Sequence, residues 1–163
     1  MISSDLDLDS TDLRLLGLLQ HDASLSNLEL AALAKVSAAT CMRRVRRLVS
    51  TGVIERRVAL LSSEKLGHGL TAIVEVTLDR QGAEHLAQFQ QRAVAEPMVQ
   101  QCYRVSPGPD YVLVVWCVDM PAYQSLVDRL FTQDANVRHV KAYFSIQRAK
   151  FEPAIGLPGA KSA

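Results

Sequence analysis

Four arginines, Arg43, Arg44, Arg46 and Arg47, fall within five residues of a segment whose apolar positions recur at helical spacing. Arginine carries a planar fork of donors that matches guanine O6 and N7 in the major groove, and equally the oxygens of a phosphate. A wheel turned by about 100° per residue with Val45 as origin puts Ala38, Cys41, Met42, Leu48 and Val49 within about 60° of it. Thr40, Arg43 and Arg47 point the opposite way to within about 40°, with Arg44 and Arg46 on the flanks. Ser37 and Thr40 stand where the helix begins, a place suited to holding a backbone phosphate on unpaired N–H groups. No acidic residue sits four positions from these arginines, as the helix of a merely soluble surface usually arranges. A solvated basic face has the same composition, so the arginines alone leave both readings open.

The elements around them favour a DNA reader. Asp9 or Ser10 caps a first helix carrying Leu13, Leu15, Leu16, Leu18 and Leu19. Ser26-Asn27-Leu28-Glu29 has the form of a capping box that opens a short second helix. Val36-Ser37 supplies a turn, and the basic third helix runs from about Ala38 to Thr51, with Gly52 where a positive φ is expected. Two short helices three residues apart, the second basic, form a helix-turn-helix pattern. Val53–Leu61 follows as a strand, the expected β wing, on which Arg56 and Arg57 could touch flanking phosphates.

Charge is distributed in the same sense. The chain of 163 residues has a net charge of only +1, but residues 1–34 carry −5, residues 35–57 carry +6, and the rest balance. The excess positive charge is therefore local to the third helix and the wing, the footprint expected of a nucleic-acid contact. Hydrophobic residues at 48% place the chain with ordinary globular proteins. No apolar run approaches a bilayer span, and the acidic start has no signal-peptide character, so a cytoplasmic location without membrane contact is expected. Cys41, Cys102 and Cys117 are far apart and make no C-x-x-C pair, which fits buried free thiols. His21, His68, His85 and His139 are scattered without ligand spacing, so neither a metal nor another cofactor is called for.

Beyond a polar connector at 62–70, the remainder alternates as βαββαβ. Strands are expected over Thr71–Leu78, Val99–Val105, Tyr111–Val118 and Val137–Ile146, and helices over Gln81–Val94 and after Pro121. This order is the ferredoxin-like split, an antiparallel sheet with two helices on one face. The fold class is therefore α+β. Its domains are a winged helix-turn-helix over 1–61, a linker over 62–70, a ferredoxin-like effector and oligomerisation domain over 71–151, and a flexible tail over 152–163. The third strand is apolar almost throughout, so the sheet's open face is expected to pack on a second copy.

Several pieces, in this order and spacing, carry a family resemblance. They are Leu8-Asp9-x-x-Asp12 with Leu15-Leu16, then Leu19-Gln20-x-Asp22-Ala23 and Ser26-Asn27-x-Glu29-Leu30-Ala31. Val36-Ser37-x-x-Thr40-Cys41-x-x-Arg44-Val45-x-x-Leu48, Gly52-Val53-Ile54 and Ala59-Leu60-Leu61 follow, then Cys102-x-x-Val105-Ser106 and Asp110-Tyr111-x-Leu113. Over residues 7–151 the chain resembles the Lrp/AsnC transcription regulators. The resemblance implies operator DNA as a partner, a small effector such as an amino acid near a subunit interface, and homodimers that often assemble to octamers. It also places Ser37, Thr40, Arg43, Arg44 and Arg47 at recognition-helix positions. The loop at 107–111 corresponds to the family's effector loop, so Ser106, Gly108, Asp110 and Tyr111 become effector-binding candidates.

That loop departs from the family pattern. Pro107-Gly108 stands in place of Gly-Asp, and Pro109 follows, which removes an acidic group and the N–H of each proline. Val140 and Ala142 offer no hydroxyls where many relatives have threonine. A less polar effector, or none, is expected. Two other classes fit parts of the chain. Sirohaem-type decarboxylases resemble the same family, but no catalytic motif is present here, and a non-enzymatic role is expected. An architectural DNA protein of low sequence preference would use the same arginines, because phosphate contacts carry affinity whatever the sequence.

Overall fold

The computed structural model describes residues 7–63, 65–66 and 69–158; His68, parts of the connector and the last five residues lie outside these. The described chain gathers into two compact units, one formed by 7–60 together with 150–158, the other by 61–149.

The first unit has three helices, α1 (Ser10–His21), α2 (Asn27–Ala34) and α3 (Ala38–Ser50). Each begins where a short polar side chain can replace the missing turn. Asp9 accepts the N–H groups of Thr11 and Asp12, and Asp12 reaches back to the N–H of Asp9. Ser26 and Glu29 close the same reciprocal pair on α2, and Ser37 accepts from the N–H of Thr40 on α3. Between α2 and α3 the chain turns at Lys35, whose φ of 56° lies in the left-handed region. That turn lets Val36 N–H reach the Ala31 carbonyl at 3.0 Å, and Asn27 Nδ2 donates to the Ala38 carbonyl at 3.0 Å across it. Leu15, Leu30, Ala31, Ala34 and Cys41 form the buried centre. Gly52 takes the expected positive φ, 76°.

Two expectations change here. Val53–Leu61 forms no strand ladder among the described residues. A strand needs a neighbouring backbone to pair with, and the segment finds none among the described residues. Residues 152–158, expected within a loose tail, instead run beside α1. Gln20 pairs through both ends of its amide with the backbone of Ile155, at 3.2 and 2.8 Å, and Leu157 lies against Gly17.

The second unit is βαββαβ, with β1 (Leu70–Leu78), α4 (Ala83–Ala95), β2 (Val99–Arg104), β3 (Tyr111–Cys117), α5 (Met120–Val127) and β4 (Val137–Phe144). The strands are antiparallel in the order β2-β3-β1-β4, the ferredoxin-like arrangement. Alternation puts Tyr111, Leu113, Val115 and Cys117 of β3 and Ala72, Val74 and Val76 of β1 under the helices, against Leu86, Phe89, Leu126 and Phe131. Val112, Val114 and Trp116 take the other face with Ile73 and stay half-buried or exposed. Asp119 caps α5 ahead of Pro121, and the helix loosens into a π turn through Thr132. A side chain at Gly69 would come within 2.7 Å of the Trp116 ring, so the approach of the connector to β3 requires glycine. Cys41 and Cys117 are buried free thiols and Cys102 is half-buried; burial pushes all three thiols up.

Candidate functional site

The basic helix does not face the way a symmetric apolar stripe predicts. Cys41 and Leu48 are fully buried, whereas Met42 and Val49 are 44% and 48% exposed. The buried direction therefore lies between Cys41 and Leu48, roughly 50° round the wheel from Val45. That rotation brings Arg44 to within about 50° of the buried direction and leaves Arg43 and Arg46 each about 150° from it. The four arginines separate into two pairs with different surroundings.

Arg44 and Arg47 turn towards the start of α1. Arg44 Nη1 donates to Asp9 Oδ2 at 2.7 Å and to Asp12 Oδ1 at 3.0 Å, and Arg47 Nη2 donates to Asp12 Oδ2. Asp12 is the one fully buried charged residue among those described. A carboxylate taken out of water needs such partners, and Asp12 has two guanidiniums and the N–H of Asp9. The N–H of Asp12, followed by the Arg44 guanidinium, holds the Asp9 carboxyl below its usual range. The bonds to Asp9 and then Asp12 hold the Arg44 guanidinium up in turn. Arg44 Nε is buried without a partner, so its guanidinium faces the interior of the unit more than solvent. The expectation that the arginines lack counter-charges is thus corrected for these two. The partners come from another helix, 32 to 35 residues away in sequence.

Arg43 and Arg46 are exposed and form no ion pair among the described residues. Ser37 is exposed at the start of α3, and its hydroxyl donates to Thr40 Oγ1 at 2.9 Å, so the two hydroxyls stand together at the helix N-terminus. Arg56 and Arg57 are exposed beyond the helix. With Arg46 they rim an open groove of about 520 Å³ whose floor includes Leu19, Met42 and Val49. The face left to solvent is a helix N-terminus and unpaired guanidiniums. This is the chemistry of a phosphate-and-base reader.

In the second unit the loop after β2 carries the other candidates. Ser106 and Gly108 are exposed, with a cis bond at Ser106–Pro107 and Gly108 at φ 123°. Asp110 and Tyr111, in contrast, have their polar groups engaged by the fold. Asp110 Oδ2 accepts the Leu78 N–H at 2.7 Å and a longer bond from Gln81, where β1 loses its regular ladder. Tyr111 is fully buried, stacks at 5.0 Å on Phe89, and donates its hydroxyl to the Leu86 carbonyl at 2.8 Å. Burial raises its phenol above the usual range. The Tyr111 hydroxyl is thus used within the fold, and Asp110 has one of its two carboxylate oxygens bonded there. Among the described residues no three His, Cys, Asp or Glu side chains gather as metal ligands. No helix among them is long and apolar enough to cross a membrane.

A family model described as Lrp/AsnC ligand binding domain matches residues 71–155, and one described as winged helix-turn-helix DNA-binding matches residues 8–55. The chain belongs to the Lrp/AsnC family. It is a DNA-binding transcriptional regulator with a ligand-binding domain, and its α+β fold is that family's. The leucine-responsive regulatory protein of Rhizobium meliloti is 34% identical over 88% of this chain and 92% of its own length. The glutamate uptake regulatory protein of Zymomonas mobilis is also 34% identical, over 93% and 92%. Among solved Lrp/AsnC-like structures, a Neisseria meningitidis transcriptional regulator in complex with L-methionine superposes with a TM-score of 0.83. It is 28% identical and covers 93% of this chain and 97% of that one. An AsnC family regulator from Agrobacterium tumefaciens superposes with a TM-score of 0.82 at 30% identity, over 91% and 96%.

Missing from the sequence reading was Asp12. Its signal was present, since Asp9 and Asp12 sit in the very motif that carries the family resemblance. The −5 of the first 34 residues also stands beside the +6 of the next 23.

Proposed function

We propose that this regulator reads an operator through Arg43 and Arg46 of α3, with Ser37, Thr40, Arg56 and Arg57 on flanking phosphates. The exposed, unpaired Arg43 and Arg46 beside a Ser-capped helix N-terminus carry this reading. Its effector is a small apolar amino acid held against the exposed backbone of Ser106–Gly108 where two copies meet. The apolar character follows from Pro107, Pro109, Val140 and Ala142, and the methionine-bound relative from Neisseria supports it. The open sheet face with Ile73, Val112, Val114 and Trp116 serves as the homodimer surface, from which octamers assemble. Such a regulator works in the cytoplasm, where its DNA is, without catalysing a reaction.

Genome-wide mapping of bound DNA gives the operator, and binding to that duplex then tests the residues. Arg43→Ala or Arg46→Ala should cost about 1–3 kcal/mol on the operator and relax preference at one base position. An unchanged operator preference in both variants rules out base reading by α3. Calorimetry against the twenty amino acids addresses the effector. Methionine or leucine should bind, and tight binding of asparagine or glutamate instead refutes the apolar pocket.

A further inference from the structure

Asp12 raises a question the helix-turn-helix does not answer: why two of four arginines on a DNA-reading helix are neutralised from behind. The side chain of Asp12 is 1% exposed, against 22% for Arg44 and 45% for Arg47. Asp9, Asp12, Arg44 and Arg47 together sum to no net charge. Drawing either arginine onto a phosphate would leave a buried carboxylate short of a partner, which costs more than an exposed ion pair returns. Arg43 and Arg46 carry no such tether among the described residues.

We propose that Asp12 is a positioning residue that sets specificity by withholding Arg44 and Arg47 from the DNA backbone. The inference rests on the reading of α3 as the recognition helix. Affinity for random DNA grows with the number of phosphates neutralised, whereas the operator gains in addition from base contacts. Two withheld arginines therefore weaken the random complex by a larger fraction than the specific one. A carboxylate at the root of the recognition helix acts as an internal phosphate and keeps the helix from clinging to any duplex.

The test is a salt titration of the full-length protein on an operator duplex and on a random duplex of equal length. Asp12→Asn should steepen the slope of log K against log salt on random DNA by about 1 to 2 per bound protomer. It should also reduce the operator-to-random ratio several-fold, while Asp12→Glu, which keeps the charge, retains the wild-type slope. An unchanged slope in Asp12→Asn overturns the proposal. Because Asp12 is buried and its replacement can unfold the unit, two arginine variants test the same point independently. Arg47→Gln should leave the random-DNA slope as it is, whereas Arg46→Gln should flatten it by about 1. Flattening by both overturns this inference alone and leaves the recognition helix standing. Flattening by neither removes α3 from the DNA, and the functional reading falls with this one.

Discussion

The two units are stabilised by different means. The sensing unit has a buried cluster of fifteen residues between sheet and helices, and its charged pairs, Arg92 with Asp134 and Arg129 with Glu96, lie at the surface. The reading unit has five residues in its buried cluster, three capped helices, and a buried carboxylate clamped by two arginines. A fully buried Leu-sized side chain contributes about 1.5–3 kcal/mol, so a cluster one third the size leaves a thin margin. The three capped helix starts add about 0.5–2 kcal/mol each. A domain that must meet a polyanion keeps its arginines near the surface, and arginines near the surface leave little room for a core.

Core truncation should separate the units most sharply. Phe89→Ala removes a fully buried ring and should cost about 3–5 kcal/mol, yet leave the sensing unit folded at 25 °C. Leu15→Ala costs about 2–5 kcal/mol by the same mechanism. In the smaller cluster that loss should abolish DNA binding while the urea transition of Trp116, the single tryptophan and a reporter of β3, stays in place. Equal loss of both signals in Leu15→Ala would show that the units do not unfold separately.

Tyr111→Phe is a smaller perturbation. It keeps the stack on Phe89 and removes only the bond to the Leu86 carbonyl, for an expected loss of about 1 kcal/mol by Trp116 fluorescence. Effector affinity should not change, because the hydroxyl is spent inside the fold. A large drop in affinity with unchanged stability would return Tyr111 to the binding site.

Acid should produce the smallest effect and the most selective. Asp9, Asp22 and Glu29 have pKa values lowered by bonds to their charged forms, led by the Asp12 N–H, the Ser24 hydroxyl and the Ser26 partner respectively. All three are in the reading unit. A depressed carboxylate contributes stability that is present above its unfolded pKa, near about 4, and lost as pH falls through the folded value. Between roughly pH 5 and pH 3, hydrogen exchange in α1 and α2 should rise before exchange in β3 does. Simultaneous loosening of both units would remove the contrast.

Much of this was legible in the sequence, element by element. Ser26 and Ser37 announce helix starts because a cap is a bond between residues three apart, and Pro121 does so because its fixed φ suits a first turn. Tyr111–Cys117 announces a strand because alternation is local. The strand at Val53–Leu61 is not formed, since the segment has strand composition but no partner backbone among the described residues. Nothing in a motif reveals that Leu78 and Leu86, more than twenty residues away, bond to one carboxylate oxygen of Asp110 and to the hydroxyl of Tyr111.

The sequence by itself determined that three capped helices form, the third of them basic, and that a βαββαβ sheet follows, because those properties depend on neighbours along the chain. Only the tertiary structure decided which arginines are ion-paired. A rotation of α3 of about 50° turns Arg44 and Arg47 to the buried carboxylate of α1 and leaves Arg43 and Arg46 to the solvent. The rotation is set by how Cys41 and Leu48 pack, and packing is a relation between residues that the chain places far apart.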